Sequence, residues 1–274
     1  MTEPIQIISA STLVKALEKD GLTRWKENMT AEGVVANIDA INRMIAGGTP
    51  LEHITNFIKE LPYRPVPGRL GASEAGTQIH GILEAWLAGT VAPDPHPSVV
   101  PMLQWLSEWV SRNEPKLIDA EQVVFNPLTG IGGRFDQKIQ LGGNGPLAGL
   151  RVLMDLKTSL DDRFKSGGLK KPYADSVALQ LATYRYATHQ ATIDMHVEQK
   201  WSGRQYYASQ EVIDTAVVPT QVDACAVLYL TPARCWLYPI DVNEQTYERA
   251  VDAANTWRWT HIDSKKILGE AIRA

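Results

Sequence analysis

The sequence has few cysteines and no long apolar run, and these two absences exclude several classes of protein. It contains only two cysteines, Cys225 and Cys235, in 274 residues. Four-cysteine zinc or iron–sulfur ligation is therefore impossible within this chain, and a disulfide framework is not expected. The longer apolar runs, such as residues 224–230, are far shorter than the roughly 20 residues that span a bilayer. We expect no membrane span, no iron–sulfur cluster, and two cysteines that pack in or near the core.

The chain also lacks a strong excess of charge of either sign. Its 27 Lys and Arg residues against 31 Asp and Glu residues give a net charge of −4. This balance counts against a protein that coats nucleic acid non-specifically, but it allows an enzyme that grips a few phosphates through a local basic patch. The first residues, Met1 to Pro4, lack the basic and apolar regions of a secretory signal. We therefore expect a cytoplasmic protein.

What the sequence does contain is a succession of helical and strand patterns typical of a globular protein. Apolar residues spaced three and four apart predict that the first sixty residues are mainly helical. Three prolines between residues 61 and 68 then interrupt regular structure. We therefore divide the chain into an N-terminal helical lobe, residues 1–70, and a larger domain, residues 71–274.

The larger domain begins with helical patterns and continues with strands. The predicted helices and strands follow in this order: helices over 76–87 and 102–112, strands over 118–125, 133–141 and 150–156, a helix over 176–189, strands over 224–230 and 234–240, and a helix over 243–259. Glycine-rich turns join the first three strands, which favours antiparallel pairing. The whole order predicts an α/β fold in which helices flank a mixed central β-sheet.

Two of the predicted strands carry an aspartate near an end. Asp136 lies in the second strand, and Asp155 follows the apolar start of the third. Because side chains alternate along a strand, Asp155 and Lys157 share a face while Leu156 points away. Two carboxylates can bind a hard divalent cation, and a neighbouring lysine can orient or help deprotonate a water. The alternative is that each is an ordinary solvated residue at the end of a strand.

Two further residues are candidate metal ligands. His80 lies one helical turn before Glu84, so both share a face of the first helix of the domain. The imidazole of His80 could supply a third ligand, and such a site would readily accept Mn²⁺ as well as Mg²⁺. The alternative is a histidine–glutamate pair on the helix surface. Glu121, before the apolar residues of the first strand, is either solvated or a distant ligand of a second metal ion.

A helix and a loop after these strands carry the remaining candidates. Gln180 and Tyr184 are four residues apart, so one helical face could direct Gln180 to Lys157 or a water and Tyr184 to a phosphate. The alternative is the polar stripe of an amphipathic helix. The polar segment 161–175 is long for a loop in a compact domain, which favours a functional loop. Its basic residues could contact phosphates or simply face solvent; they are Arg163, Lys165, Lys170 and Lys171.

Taken together, these motifs resemble those of a known enzyme superfamily. In chain order they are His80, Gly133-Arg134-Phe135-Asp136, Asp155-Leu156-Lys157, and Gln180 with Tyr184. The pattern resembles the PD-(D/E)XK nuclease superfamily, and most of all its RecB-like exonuclease branch, which includes phage recombination nucleases and CRISPR-adaptation nucleases. The match covers about residues 70–190.

The resemblance implies a restriction-endonuclease-like core and a ligand set. His80, Asp136, Asp155 and the backbone carbonyl of Leu156 would bind Mg²⁺ or Mn²⁺. Lys157 would be the catalytic lysine, and Gln180 and Tyr184 would form the helical motif beside it. Several members of the branch carry four cysteines for an iron–sulfur cluster, which this chain lacks. We therefore expect hydrophobic packing to stabilise the helical lobe.

The expected function is that of a Mg²⁺- or Mn²⁺-dependent deoxyribonuclease in a bacterial or phage-infected cell. An exonuclease acting on single-stranded DNA or duplex ends, in recombination, repair or phage DNA processing, agrees best with the resemblance. A structure-selective or site-specific endonuclease on the same core is the first alternative. A non-catalytic DNA-binding protein with a decayed site is the second. The sequence leaves the oligomeric state open.

Overall fold

The computed structural model describes residues 3–16, 27, 30–61, 70–159, 174–200 and 203–267. These residues form an α/β structure with two mixed β-sheets. Contacts divide the chain into two compact units, one of residues 1–17 with 76–274 and one of residues 18–75. Among the described residues, no helix combines the length and apolar character needed to cross a membrane.

The helices and strands with bounds, in chain order, are β1 (Ile5–Ser9), α1 (Ala10–Ala16), α2 (Ile38–Ala46), α3 (Leu51–Glu60), α4 (Ala72–Ala88), α5 (Val100–Asn113), β2 (Lys116–Ala120), β3 (Val123–Asn126), β4 (Ile131–Arg134), β5 (Gln137–Gln140), β6 (Arg151–Thr158), α6 (Ala174–Arg185), β7 (His189–Gln190), β8 (His196–Lys200), β9 (Gly203–Ala208), α7 (Gln210–Thr215), β10 (Ala224–Thr231), β11 (Arg234–Ile240), α8 (Glu244–Arg258) and α9 (Ser264–Ile267). A π-helical turn, Trp259–Asp263, joins the last two helices.

The strands form two sheets instead of the single central sheet that the sequence predicts. The first, sheet A, has the strand order β7-β3-β4-β1-β9-β8, and the second, sheet B, has the order β11-β10-β6-β5-β2. Each is mixed, because β1 runs parallel to β4 and β6 runs parallel to β10 while their other neighbours run antiparallel. The α/β class with mixed pairing is thus confirmed. The restriction-endonuclease-like core stays a prediction.

A bent hairpin explains why there are two sheets. The predicted strands 118–125 and 133–141 both break in the middle, so that β3 and β4 pair in sheet A while β2 and β5 pair in sheet B. The sequence analysis did not reveal the break, because neither Glu121-Gln122 nor Phe135-Asp136 contains a glycine or proline to mark it.

Two backbone hydrogen bonds hold the hairpin at the bend. The amide of Glu121 donates to the carbonyl of Asp136 at 3.0 Å, and the amide of Phe135 donates to the carbonyl of Gln122 at 3.2 Å. Glu121 adopts a left-handed conformation, with φ of 53°. A non-glycine residue seldom does so, and nothing in the local sequence signals it.

The N-terminal segment also differs from its prediction. Residues 1–70 were expected to form one helical lobe, but Ile5–Ser9 is a strand between β4 and β9 of sheet A, and Ile7 and Ile8 are fully buried. The physical reason is the β-branched content of this short segment, whose five residues are too few for periodicity to distinguish strand from helix. The second unit, residues 18–75, contains helical residues 30–36 together with α2 and α3.

Two helices pack against sheet B. Helix α5 packs on β10 and β11 and buries Met102, Leu106 and Trp109. Helix α6 packs on β6 and on sheet A, and its Val177 and Leu181 share a core with residues of β6 and β10. The side chains at the carboxyl end of β6 therefore lie on a rigid, well-packed support.

The predicted C-terminal elements are confirmed. The hairpin of β10 and β11 and the capping role of Asn243 are both present, and Asn243 forms a capping box with Thr246 at the start of α8. The sequence analysis missed strands β8 and β9, which pair antiparallel with Lys200 opposite Gly203. The polar residues of these two strands conceal their alternation.

The burial of the two cysteines leads to a prediction about thiol reactivity. Burial raises the pKa of Cys225 to about 11, with Arg185 opposing, and raises the pKa of Cys235 to about 12. Because the thiolate is the reactive form, at pH 8 Cys225 should react with a disulfide reagent about a hundredfold more slowly, and Cys235 about a thousandfold more slowly, in the native protein than in denaturant. The same measurement on the variants Cys225→Ala and Cys235→Ala assigns each reaction rate to one cysteine. Native rates equal to denatured rates would contradict this packing.

Candidate metal-binding site

The bend of the hairpin brings two carboxylates towards a histidine of α4. His80, Glu121 and Asp136 each offer one ligand atom, and these three atoms lie within 4.8 Å of one another. All three residues are half-buried. Because they come from a helix and from both arms of the hairpin, only the folded chain assembles them. One nitrogen and two carboxylate oxygens form a donor set that suits a divalent cation.

Asp136 links this group to the backbone of β6. Its Oδ2 accepts a hydrogen bond of 2.9 Å from the amide of Leu156, and the same oxygen lies 3.6 Å from Nδ1 of His80. The antiparallel pairing of β5 with β6, which aligns Gln137 with Met154, explains this position. Asp136 thus lies beside the end of the strand that carries Asp155 and Lys157.

The hydrogen bonding of His80 favours a positive charge between it and Asp136. Nε2 of His80 lies 3.0 Å from the carbonyl oxygen of Leu156, and since a carbonyl only accepts, Nε2 carries the hydrogen and donates it. In the neutral imidazole, Nδ1 then directs a lone pair towards the Asp136 carboxylate. These two lone pairs repel each other unless a proton or a metal ion lies between them.

Glu121 belongs to the group, although the sequence analysis placed it in solvent or at a distant second metal. Its Oε2 lies 2.9 Å from Nε of Arg134. Burial raises the pKa of Glu121; Arg134 opposes this, while the carboxylates of Asp136 and Glu84 raise it further. Several carboxylates held close enough to disturb one another are typical of a cation site. The sequence analysis assigned no role to Arg134. The only signal of its role was its alternation with Asp136, two residues further along.

Asp155 and Lys157 lie side by side, as strand alternation predicts. Nζ of Lys157 donates to Oδ1 of Asp155 at 2.9 Å and lies 2.8 Å from Oδ2. Asp155 is only 2% exposed, and this burial raises its pKa to about 6 against the opposing effect of Lys157. For Lys157, burial lowers the pKa, but Asp155 and Asp136 outweigh burial and raise it. The pair is therefore a charged lysine held by a buried carboxylate.

The carboxylate of Asp155 is buried close to a second acid. Its Oδ2 makes no hydrogen bond of suitable geometry within the described parts of the chain, although Nζ of Lys157 lies 2.8 Å away and compensates its charge. Asp155 also lies close enough to Asp136 for that carboxylate to raise its pKa. A cation near Asp136 would reduce the repulsion between the two carboxylates, so the residues present fit the divalent metal that the motif resemblance implies.

Gln180 and Tyr184 contact each other in the structure. Nε2 of Gln180 donates to the Tyr184 hydroxyl at 3.3 Å. Tyr184 is 5% exposed, and its ring packs edge-on against Phe135 at 6.4 Å. Among the described residues, Gln180 bonds to Tyr184 and not to Lys157 as expected. The phosphate contact of Tyr184 stays a prediction. Burial raises the pKa of Tyr184, so its hydroxyl stays protonated.

The packing of Tyr184 requires a glycine at the end of β4. Gly133 has φ of 149°, and a Cβ there would lie 3.2 Å from the Tyr184 ring. The glycine therefore lets the ring lie directly against the strand that leads to Asp136. In this structure, Tyr184 and its partner Gln180 support the candidate site by packing.

The four basic residues of the predicted phosphate-contacting loop lie outside the described residues. They are Arg163, Lys165, Lys170 and Lys171. Their proposed role stays a prediction from the sequence.

Comparison with known proteins yields little. No family model and no curated protein matches the chain. One solved structure, titled "Crystal structure of SSO0001", has 14% sequence identity over the whole of this chain and 90% of that chain, with a TM-score of 0.32. A likeness of this degree carries no argument, so the interpretation of the site depends on its own geometry and on the motifs.

The geometry predicts that Asp136 is required for metal binding. Asp136→Asn keeps an oxygen to accept from the Leu156 amide but removes the negative charge next to His80 and Glu121. Its affinity for Mn²⁺, measured by calorimetry with catalysis absent, should fall by about tenfold or more.

The matched control is Asp252→Asn, because Asp252 is an exposed acid of the same unit whose carboxylate pairs with Arg249. The control should bind Mn²⁺ as the wild type does. Equal Mn²⁺ affinity in Asp136→Asn and wild type would refute the assignment of this site.

Proposed function

We propose that this protein is a metal-dependent nuclease that hydrolyses phosphodiester bonds in DNA. The observation that carries the proposal is the grouping of His80, Glu121 and Asp136 within 4.8 Å. The pair of buried Asp155 and Lys157 lies next to this group, since the amide of Leu156, the residue between them, donates to Asp136 at 2.9 Å. The motif resemblance supports the same chemistry.

His80, Glu121 and Asp136 would hold Mg²⁺ or Mn²⁺, with Asp155 and the Leu156 carbonyl beside them. When bound, such an ion polarises a phosphate oxygen and lowers the pKa of a coordinated water. The protein's own part is to hold these donors in place. Asp136 does so by binding the Leu156 amide, and Arg134 does so by pairing with Glu121.

Lys157 would act through its charge. Its ammonium group is fixed by Asp155 while 36% of its side chain stays exposed, so it can reach a bound substrate. A lysine paired with a buried carboxylate keeps its proton, and it can then stabilise negative charge on the phosphate oxygens or orient the attacking water. This favours an electrostatic role over that of a general base.

DNA as the substrate, and attack from an end, follow from the motif resemblance alone. An endonuclease on the same core remains the first alternative. A non-catalytic DNA-binding protein is the second, and the intact set of Asp136, Asp155 and Lys157 counts against it.

The proposal predicts that Lys157→Ala loses cleavage of end-labelled DNA by about a hundredfold or more in Mg²⁺ or Mn²⁺, because one fixed charge that stabilises the transition state is worth that much. Asp155→Ala should have a similar effect. Lys116→Ala, at an exposed lysine of β2, is the matched control and should retain wild-type activity. Circular dichroism and thermal melting check that each variant is folded. Full activity in purified Lys157→Ala would contradict the assigned role.

The mode of attack has its own test. Closed circular DNA and the same DNA made linear are incubated with the wild type and Mn²⁺, and the products are separated by electrophoresis. An exonuclease should degrade the linear form and leave the circle intact. Linearisation or nicking of the circle would favour the endonuclease. Absence of cleavage of either form under all metals tested would refute the nuclease proposal.

A further inference from the structure

A row of side chains leads from Lys157 across sheet B to its edge. In the strand register, Lys157 of β6 pairs with Tyr229 of β10, and Tyr229 pairs with Trp236 of β11. Paired residues present their side chains to the same face, and neighbouring strands are about 4.8 Å apart. The backbone of Trp236 therefore lies roughly 10 Å from that of Lys157. This surface, Lys157–Tyr229–Trp236, is called the aromatic row below.

Trp236 is exposed and yet held in place. It is 39% exposed on β11, which is the edge strand of sheet B. The guanidinium of Arg234 lies 4.7 Å from the centre of the indole, and Tyr238 makes an edge-on contact at 6.1 Å. These contacts restrict the ring before any ligand arrives. A pre-oriented aromatic ring loses little conformational entropy when another flat group stacks on it.

The chemistry of the aromatic row suits unpaired nucleotides. Lys157 and Arg234 supply positive charge for phosphates, while Trp236 and the half-buried Tyr229 supply rings for bases. Alternation of cationic and aromatic side chains is how proteins bind single strands without reading their sequence. Bases inside a duplex are already stacked on one another, so only an unpaired strand offers its faces to these rings.

Addition of a peptide strand to the edge is the competing use of this surface. Pro239 lies within β11 and supplies no N–H, and a charged residue, Arg234, begins the strand. Proline and charge on an edge strand both oppose strand pairing. The edge of β11 therefore suits an added peptide strand poorly, whereas the rings on its exposed face suit the stacking of bases.

We propose that Trp236, Arg234 and Tyr229 form a subsite that stacks unpaired nucleotides next to the phosphate held at Lys157. The position of that phosphate rests on the proposed nuclease function. The stacking itself does not, because binding is measurable without cleavage.

The test measures binding with the metal chelated. Fluorescence anisotropy gives the affinity for labelled oligothymidylate and for a labelled strand of equal length made only of abasic sites. Trp236→Ala should weaken the binding of oligothymidylate about tenfold and leave the abasic strand unaffected. Trp236→Phe, which keeps a ring, should recover most of the loss. Trp259→Ala, at a tryptophan that is 55% exposed elsewhere in the same unit, is the control and should bind as the wild type does.

Several outcomes would overturn the subsite. They are unchanged binding of oligothymidylate by Trp236→Ala, an equal loss for the abasic strand, and an altered oligomeric mass without altered binding, which would indicate a contact between copies. A parallel cleavage assay in Mn²⁺ separates the two proposals. Loss of stacking without any wild-type cleavage would support the subsite and refute the nuclease. Wild-type cleavage with unchanged binding in Trp236→Ala would support the nuclease and refute the subsite.

Discussion

The hydrogen bond from the Leu156 amide to Oδ2 of Asp136 is the interaction on which the candidate site depends. It joins the bend of the hairpin to β6, and so fixes the distance between the carboxylate of one strand and the Asp155–Lys157 pair of the next. The Leu156 carbonyl, on the other side of the same residue, receives the imidazole of His80. One residue of an ordinary strand thus orients two of the charged or ionisable groups through its backbone alone, which explains why its own side chain can be a buried leucine.

The site contains several acidic groups and few basic groups that compensate their negative charge. Burial raises the pKa of both Glu121 and Asp155, and the carboxylate of Asp136 raises each further. Arg134 and Lys157 each compensate one acid directly. Acidic groups crowded in this way lower the stability of the fold, and proteins retain them where the charges serve a function. Binding of a cation is such a function, since the cation would reduce the repulsion among the acids.

Much of the fold and part of the site could be predicted from local pattern. Helix α5, the β10–β11 hairpin and the cap at Asn243 have clear periodicity or cap chemistry, and the pairing of Asp155 with Lys157 follows from alternation along one strand. The sequence could not predict that Glu121 belongs to the candidate site. Its position results from its own left-handed backbone conformation, which the sequence pattern does not reveal. The strand at Ile5–Ser9 was missed because its partners, β4 and β9, are remote in sequence. The burial of the Tyr184 ring against Gly133 could not be predicted either, because periodicity does not describe packing between segments that are remote in sequence.

The bent hairpin has a consequence for how the site comes into being. The hairpin contributes β3 and β4 to sheet A and β2 and β5 to sheet B. Glu121 and Asp136, which lie between these strand pairs, therefore reach their positions only when both sheets have formed. Sheet A in turn needs β1, from the beginning of the chain, and β9, from well past the motifs. A fragment cut to the motif-bearing segment would therefore keep every signature residue but lose β1 and β9, and with them the strands that complete the sheet on which one half of the hairpin lies.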